Sequence, residues 1–271
     1  MLARLDNEIF FKKAFTDRFV FQSFVRDIIG IEVEPEKIET EKSFDPKVGS
    51  INFRYDIFAE DTKKRIIIEI QKVEYDHNFD RFLHYHLQGI TEQQRRSEDY
   101  SVDRTVYTIV VMTAPYRLNK LTNEIYKDEV LISNFNPKNL KGIERKLFNH
   151  ELIFLNPNYR DDSTPQNYRD WLDLIYESIH NPENPKINLE NDGVKRVAEV
   201  INMKNVTPEE MEQAKKEAAK RKVIVLERQD EKREIAVNMI KEQFDNEMVK
   251  KMTGLDTPEI EKLRKDIEKG D

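Results

Sequence analysis

The stretch RYDIFAEDTKKRIIIEIQK, which begins at Arg54, has a polar turn between two parts in which acidic and amide side chains stand among apolar residues. Asp56 lies in its first half, and Glu69 and Gln71 lie two residues apart in its isoleucine-rich second half. An unpaired carboxylate is costly to bury because it loses its hydration. Two carboxylates with a polar neighbour form the kind of oxygen cage that Mg²⁺ binds, with water and phosphate in the remaining positions. A bound cation would therefore explain the charged residues in this stretch.

The same stretch has the pattern of a β-hairpin, with a strand over roughly 51–59, a turn at 60–64 and a strand at 65–71. The isoleucines of the second strand fall on both of its faces, which is typical of a strand covered on both sides. Because side chains alternate along a strand, Glu69 and Gln71 should project from one face. The structural alternatives are an Asp56 that binds turn amides and an exposed polar pair on an edge strand.

Helices and strands of one compact α+β domain are expected to position these residues. Apolar residues at helical spacing predict two short helices in the first 30 residues, with a break near Thr16 and a stop at Gly30. The further elements expected are helices at 79–96 and 165–179 and strands at 105–113, 151–156 and within 124–132. The hairpin should therefore belong to a mixed sheet flanked by helices.

The helix expected at 79–96 has one apolar and one polar face. Its apolar face is predicted to consist of Phe79, Phe82, Leu83, Leu87 and Ile90. The opposite stripe consists of Arg81, Tyr85, Gln88 and Glu92. A solvated surface is the expectation for this stripe, with contact to DNA or to another subunit as the alternative.

The second part of the chain is predicted to be helical. A segment rich in proline and asparagine, 181–192, is expected to link a domain at 1–180 to a helical region at 193–271. Thr207 and Glu210 have the spacing of a capping box and open a long charged helix that ends near residue 243. The last residues predict a helix-turn-helix-like pair around Gly254. Acidic residues in its second helix favour packing or dimerisation over base reading.

Composition restricts the chemistry and the setting. The 271-residue chain contains no cysteine, so a metal must be held by oxygen or imidazole, and its five histidines include no pair at i, i+4 that would indicate zinc. No apolar run approaches the length that spans a bilayer, and a cytoplasmic location without a membrane partner is expected. The net charge of −7 leaves DNA binding to local basic clusters such as Lys12 with Lys13.

Five segments of the chain, in the same order, resemble the PD-(D/E)xK nuclease superfamily, in the branch of recombination-promoting nucleases or putative transposases. They are EIFFKKAF from Glu8, DIFAEDTKKRIIIEIQ from Asp56, RFLHYHLQGITEQ from Arg81, SEDYSVDRTVYTIVVM from Ser97 and REIAVNMIKEQFDNEMVKKMTGLDTPEIEKLRKDI from Arg233. The first resembles the family's opening acid with its phenylalanine-lysine pair, and the second its metal-binding hairpin. The resemblance implies a restriction-endonuclease-like fold with a helical C-terminal extension.

The resemblance also implies roles for individual residues. It makes Asp56 and Glu69 metal ligands, adds Glu8 as a further acidic metal contact, and places Gln71 where the superfamily has its catalytic lysine. The implied activity is Mg²⁺-dependent DNA cleavage linked to mobile elements, with Mn²⁺ as a substitute for Mg²⁺. An amide can orient water but cannot stabilise hydroxide by charge.

A second hypothesis therefore stays open. The chain could keep the nuclease fold and act through binding, as a DNA-associated or oligomeric interaction module with weak or absent cleavage. Gln71 and the acidic net charge favour this second hypothesis, whereas the retained acids favour cleavage. A homo-oligomer formed through the C-terminal helices is a further expectation.

Overall fold

The computed structural model describes residues 1–44, 53–71, 79–94, 101–116, 124 and 126–270. The chain forms two compact units, an N-terminal unit, Met1–Glu210, and a C-terminal unit, Met211–Asp271. The expected boundaries at 180 and 192 stay predictions, and residues 181–192 lie within the N-terminal unit. No helix in the described part of the chain has the length and apolar character needed to cross a membrane.

The N-terminal unit contains a mixed sheet and the helices around it. Its strands are β1 (Lys37–Phe44), β2 (Phe53–Glu60), β3 (Lys64–Gln71), β4 (Thr105–Met112), β5 (Val130–Asn134) and β6 (Glu151–Leu155). Its helices are α1 (Glu8–Phe15), α2 (Arg18–Ile29), α3 (Phe79–Thr91), α4 (Gln166–His180) and α5 (Asp192–Val200). The order in the sheet is β1-β2-β3-β4-β6-β5. β3 and β6 pair with β4 in parallel, and the other neighbours are antiparallel.

The predicted fold class is confirmed. The chain is α+β, with the mixed sheet and flanking helices of a restriction-endonuclease-like fold. The predicted hairpin forms from β2 and β3, and the Asp61 carboxylate closes its turn by accepting the N–H groups of Lys63 and Lys64, both at 2.7 Å. Residues 51, 52 and 95–100, which the sequence assigned to predicted elements or quoted segments, lie outside the described residues.

Local signals explain the two N-terminal helices. α2 begins after Asp17, whose carboxylate accepts the N–H of Phe19 and Val20, and ends at Gly30, which has a φ of 78°. The predicted break between α1 and α2 is therefore confirmed. Both helices bury aromatic side chains, and Phe24 packs edge-to-face on the fully buried Trp171 of α4, with ring centroids 5.0 Å apart.

The predicted apolar face of α3 is partly wrong. Phe82 is buried as expected, but the other buried residues of α3 are His86 and Gly89, whereas Leu83 and Leu87 are each 38% exposed. A methyl group on Gly89 would lie 2.8 Å from Ile67 on β3, so the helix backbone lies against the sheet at this point. Close packing, rather than side-chain hydrophobicity alone, therefore decides which face of α3 points inward.

β1 is a strand that the sequence did not predict. Its residues, KIETEKSF, are mostly charged or polar, and none of them is fully buried. Such a composition is typical of an edge strand, since charged side chains discourage pairing with other chains. β5 also begins later than expected, at Val130 within the predicted range of 124–132.

The C-terminal unit contains most of α6 (Pro208–Lys241), together with α7 (Asn246–Thr253) and α8 (Thr257–Gly270). α7 ends at Gly254, which has a φ of 70° and allows the turn into α8. The core of this unit consists of Ala236, Ile240, Val249, Leu255 and Ile260. The predicted helix-turn-helix-like pair is confirmed by α7, Gly254 and α8, and Met248 and Met252 of α7 are exposed.

Candidate functional site

Asp56 and Glu69 lie side by side where the regular pairing of β2 with β3 ends. The last paired residues are Ile57 and Ile68. Beyond them the Asp56 N–H donates to Glu69 Oε1 at 3.1 Å, and the Ile70 N–H donates to Asp56 Oδ2 at 3.0 Å. The two carboxylates therefore act as acceptors in place of main-chain carbonyls. These bonds hold both acids at one edge of the hairpin.

Glu69 is a strongly perturbed acid. It is 1% exposed, and its burial raises the pKa of its carboxyl group well above the usual value for glutamate. The negative charge of Asp56 raises this pKa further, while the hydrogen bond from the Asp56 amide and the charges of Arg81 and Lys12 oppose the rise. A cation bound beside Glu69 would favour its ionised form, as expected for a ligand site.

A second group of acids joins Asp56 from other elements. Glu8, at the start of α1, and Glu41, in the middle of β1, each place a carboxylate oxygen within 4.8 Å of the others and of Asp56. Glu41 has a φ of 55°, in the left-handed region that side chains disfavour. The structure thus brings together Glu8 and Asp56, both expected from the sequence, with Glu41, which was not. Glu69 is outside this group but bonded to Asp56.

Lys12 places an ammonium group among these carboxylates. Its Nζ donates to Glu8, one helical turn earlier on α1, and to Glu41 of β1. The same Nζ lies 3.5 Å from Asp56 Oδ1. Its side chain is only 14% exposed. The chain therefore supplies a cation of its own to the acidic group.

Arg81 reaches the acids from α3, near the start of the helix. Its Nε donates to the Tyr85 hydroxyl at 3.2 Å, and its charge acts on both Asp56 and Glu69. The polar stripe of α3 is therefore not a simple solvated surface. Another member of the stripe, Glu92, pairs with the buried Arg65 at 2.8 Å. The expectation of a solvated face holds for Arg81, which is exposed, and is wrong for Glu92, whose carboxylate pairs with an arginine of β3.

Gln71 is the last residue of β3 and is half-buried. β3 pairs regularly with β4 as far as Gln71 and Met112, so the side chains of Glu69 and Gln71 share one face. The Gln71 carbonyl accepts the Thr113 N–H at 2.9 Å, which fixes the strand end. Glu69 and Gln71 therefore project from one face of β3, as the sequence predicted.

Sequence reasoning did not place Lys12, Glu41 or Arg81 beside the acids. Lys12 carried a usable signal, because it follows Glu8 at the i, i+4 spacing of a helical ion pair. Glu41 carried none, since its strand has no apolar alternation that would predict it. Arg81 was recognised only as part of a polar stripe, whose position over the sheet depends on tertiary packing.

A comparison with protein-family models identifies the family. The model described as PD-(D/E)XK nuclease family transposase matches residues 19–229, which include Asp56, Glu69 and Gln71. The chain belongs to this nuclease family. The suspected resemblance is confirmed, because a second model, described as the Rpn/YhgA-like nuclease family C-terminal HTH domain, matches residues 229–265. No curated protein and no solved structure matched the chain.

The acids of this family member are suited to the divalent metals that PD-(D/E)XK nucleases generally use. Carboxylate oxygens are the hard donors that Mg²⁺ and Mn²⁺ prefer. The buried Glu69, with its raised pKa, and the ammonium group that already lies among Glu8, Glu41 and Asp56 both indicate a place that attracts positive charge. Glu8 and Lys12 precede the matched range, and Glu41 lies within it.

Proposed function

We propose that this nuclease family transposase is a Mg²⁺-dependent DNA endonuclease, of the type linked to transposition and recombination. The observation that carries the proposal is the pair of cross-strand hydrogen bonds that hold the two carboxylates together, from the Asp56 N–H to Glu69 and from the Ile70 N–H to Asp56, in a hairpin that the family model covers. A pair of adjacent acids that is strained by burial and mutual repulsion has a functional reason when a cation binds to it. Mn²⁺ is expected to substitute for Mg²⁺.

In this proposal Asp56, Glu69 and Glu8 hold the metal, and Glu41 adds a fourth carboxylate. When bound, the metal would polarise the scissile phosphate and favour ionisation of a nearby water molecule. The side chains of the acids supply oxygen ligands and leave positions for water and phosphate. Their fixed positions on α1, β1, β2 and β3 reduce the reorganisation that binding requires.

Gln71 and Arg81 have roles that do not involve binding the metal. The Gln71 amide shares the Glu69 face of β3 and is proposed to orient the attacking water through hydrogen bonds. Arg81 is exposed and is held by Tyr85 beside the acids, where its planar guanidinium can bind phosphate oxygens. The polar face of α3 thereby becomes part of a DNA-binding surface in this proposal.

DNA is the proposed partner, with the helix-turn-helix of the C-terminal unit as an additional module. The assignment of this module to the Rpn/YhgA-like C-terminal HTH domain supports contact with nucleic acid. Assembly into a homo-oligomer through the C-terminal helices remains a proposal, as do a cytoplasmic location and the domain boundaries 1–180, 181–192 and 193–271. The exposed Met248 and Met252 of α7 are apolar groups that such an assembly would cover.

Cleavage of supercoiled plasmid with and without Mg²⁺ tests the proposal. The wild type should nick or linearise the plasmid only with the metal, and Asp56→Ala should abolish both cleavage and the Mn²⁺ binding measured by calorimetry. Asp162→Ala is the matched control, because this exposed carboxylate pairs with Arg169 and not with the site acids.

Two outcomes of this experiment favour the alternative function. A wild-type protein that binds DNA without cutting it at any Mg²⁺ concentration would act as an interaction module. The same conclusion follows if Asp56→Ala leaves Mn²⁺ binding unchanged, because the acids would then be structural.

A further inference from the structure

The strongest observation that the proposed function does not use is the position of Lys12. The superfamily's lysine is absent, because Gln71 occupies its place on β3. We infer that Lys12, from α1, supplies the positive charge at the reaction centre that Gln71 cannot supply. This inference rests on the proposed nuclease function and extends it with a residue that no strand motif predicts.

The geometry that supports the inference is the contact of Lys12 with three acids at once. Its Nζ donates to Glu8 and Glu41 and lies 3.5 Å from Asp56 Oδ1. Any phosphate that approaches Asp56 must come within reach of this ammonium group, because both groups lie in the same cluster. Lys12 therefore has access to the reacting atoms without a change of fold.

The helix that carries Lys12 is rigidly held. Phe11, Ala14 and Phe15 of α1 are fully buried, and the side chain of Asn7 caps the helix start by accepting the Ile9 N–H at 3.0 Å. A side chain on such an element is better positioned for catalysis than one on a loop. Lys12 also lies on the opposite side of the helix from the buried row, so packing does not explain why a lysine is needed there.

A contrast with the next residue shows that Lys12 is not one of two equivalent cations. Lys13 donates to the carbonyl of Asn205 and to Glu210, both at 2.7 Å, and has no bond to the site acids. Both lysines belong to the same helix and differ in the element that they contact. The position among the site acids therefore distinguishes Lys12 from the other lysine of α1.

In the reaction, the oxygen of a water molecule forms a bond to phosphorus while the bond to one bridging oxygen breaks. The water releases a proton to solvent, and the departing oxygen takes up a proton from solvent. Negative charge develops on the phosphoryl oxygens and on the departing oxygen during this exchange. The Lys12 ammonium group stabilises that charge electrostatically and is not consumed.

Replacement of Lys12 provides the first part of the test. Lys12→Gln should lower plasmid cleavage by about 100-fold or more, the loss that removal of one transition-state donor produces. Its Mn²⁺ affinity by calorimetry should be equal to or higher than that of the wild type, because the acids lose a competing cation. Lys12→Arg should cleave within about tenfold of the wild type, since it keeps the charge. Lys195→Gln, at an exposed lysine of α5, is the control and should behave as the wild type in both measurements.

The second part of the test moves the positive charge from α1 to β3. In the Lys12→Gln background, Gln71→Lys should recover at least about tenfold of the lost cleavage, because it returns a positive charge to the site from β3. If Lys12 only held α1 against β1, a lysine on β3 would not compensate for its loss. Recovery therefore separates a role in the reaction from a role in the fold.

Three results would overturn the inference. Lys12→Gln protein that cleaves as fast as the wild type shows that the charge is not needed. A loss of cleavage together with Mn²⁺ binding, without recovery by Gln71→Lys, assigns Lys12 to structure. A wild-type protein that binds Mn²⁺ but never cleaves DNA contradicts the proposed function itself and, with it, the role of Lys12.

Discussion

Two buried charges on the same face of β3 have very different surroundings. Arg65 is 3% exposed and Glu69 is 1% exposed. Arg65 donates from Nε and Nη2 to Glu60 Oε2, and from Nη1 to Glu92 Oε2 and the Gly89 carbonyl, at 2.8 to 3.0 Å. Its guanidinium thus has partners on three sides.

Glu69 has far fewer partners. Within the described part of the chain its one hydrogen bond comes from the Asp56 N–H, and the cations Lys12 and Arg81 act on it through their charges. A buried charge with a full set of partners stabilises the fold, because removing it would leave those partners uncompensated. A buried charge with an incomplete set keeps capacity for a ligand. The comparison separates a structural ion pair from a candidate metal ligand on one strand.

The largest expected effect is on Arg65. Arg65→Met should lower the free energy of unfolding by about 3 kcal/mol, because the carboxylates of Glu60 and Glu92 lose their hydrogen bonds to the guanidinium. Urea unfolding followed by the fluorescence of Trp171, the single tryptophan, measures this loss. Arg4→Met is the control, since Arg4 pairs with Asp6 at the surface and should contribute less than about 1 kcal/mol. Equal losses of unfolding free energy in the two variants would show that Arg65 stabilises the fold no more than a surface ion pair does.

Replacement of Glu69 should affect cleavage and metal binding rather than the stability of the fold. Glu69→Gln should reduce cleavage by at least about 100-fold, which is the upper range for changes in the surroundings of a metal ligand. Mn²⁺ affinity should fall as well, whereas the metal-free protein should be as stable as the wild type or more so, because burying an amide costs less than burying a charge. Glu199→Gln, at an exposed acid, is the control. Wild-type cleavage by Glu69→Gln at limiting Mg²⁺ would make Glu69 structural.

A third buried polar residue, His86, should make the stability of the fold depend on pH. Burial, together with the neighbouring His150, lowers the pKa of His86 from 6.5 to about 4. Its Nδ1 lies 2.9 Å from Thr108 Oγ1, and its Nε2 has no hydrogen-bond partner among the described residues. Protonation therefore favours the unfolded chain: the stability due to neutral His86 is complete above pH 6.5 and is lost as pH falls towards 4.

The expected loss from this histidine is about 2 kcal/mol between pH 6.5 and pH 5. Urea unfolding at several pH values measures the loss, and the difference between the wild type and His86→Leu isolates it from the titration of carboxylates. The leucine variant should start less stable, since Thr108 loses its partner, and should show a flatter profile over this range. Parallel profiles for the two proteins would contradict the lowered pKa.

The smallest effect is expected at Gln71. Gln71→Ala should lower turnover by about tenfold with little change in Mn²⁺ affinity, because an amide that orients water contributes less than a metal ligand. Gln71→Lys should retain cleavage or raise it. A loss of Mn²⁺ binding in Gln71→Ala would instead place Gln71 in the metal site with Glu69.

The sequence predicted those parts of the site that depend on neighbouring residues. The hairpin followed from the isoleucine-rich run of β3 and the polar turn at Asp61, and Asp56, Glu69 and Gln71 were identified from their spacing. The capping box was also predicted correctly, since the Thr207 N–H donates to Glu210 and the Glu210 N–H donates to Thr207 Oγ1. Such interactions join residues a few positions apart, so their pattern is visible along the chain.

Other features depended on contacts between distant segments. The charged strand β1 gave no apolar pattern, and its Glu41 reaches Glu8 and Asp56 only because β1 pairs with β2 beside the start of α1. The prediction of the buried face of α3 was wrong in part because Gly89 lets the helix lie against Ile67. Neither contact has a local signature, because each is decided by how separate elements pack.

By itself, the sequence determined the family, the α+β class and the strand positions of two acids, since motifs and periodicity are local properties. Only the tertiary structure decided that Lys12 lies among the acids and that Arg65 and Glu69 have different sets of partners. The residues that surround a buried charge come from several elements. Their number and distance, which set the cost of that charge, exist only after the chain has folded.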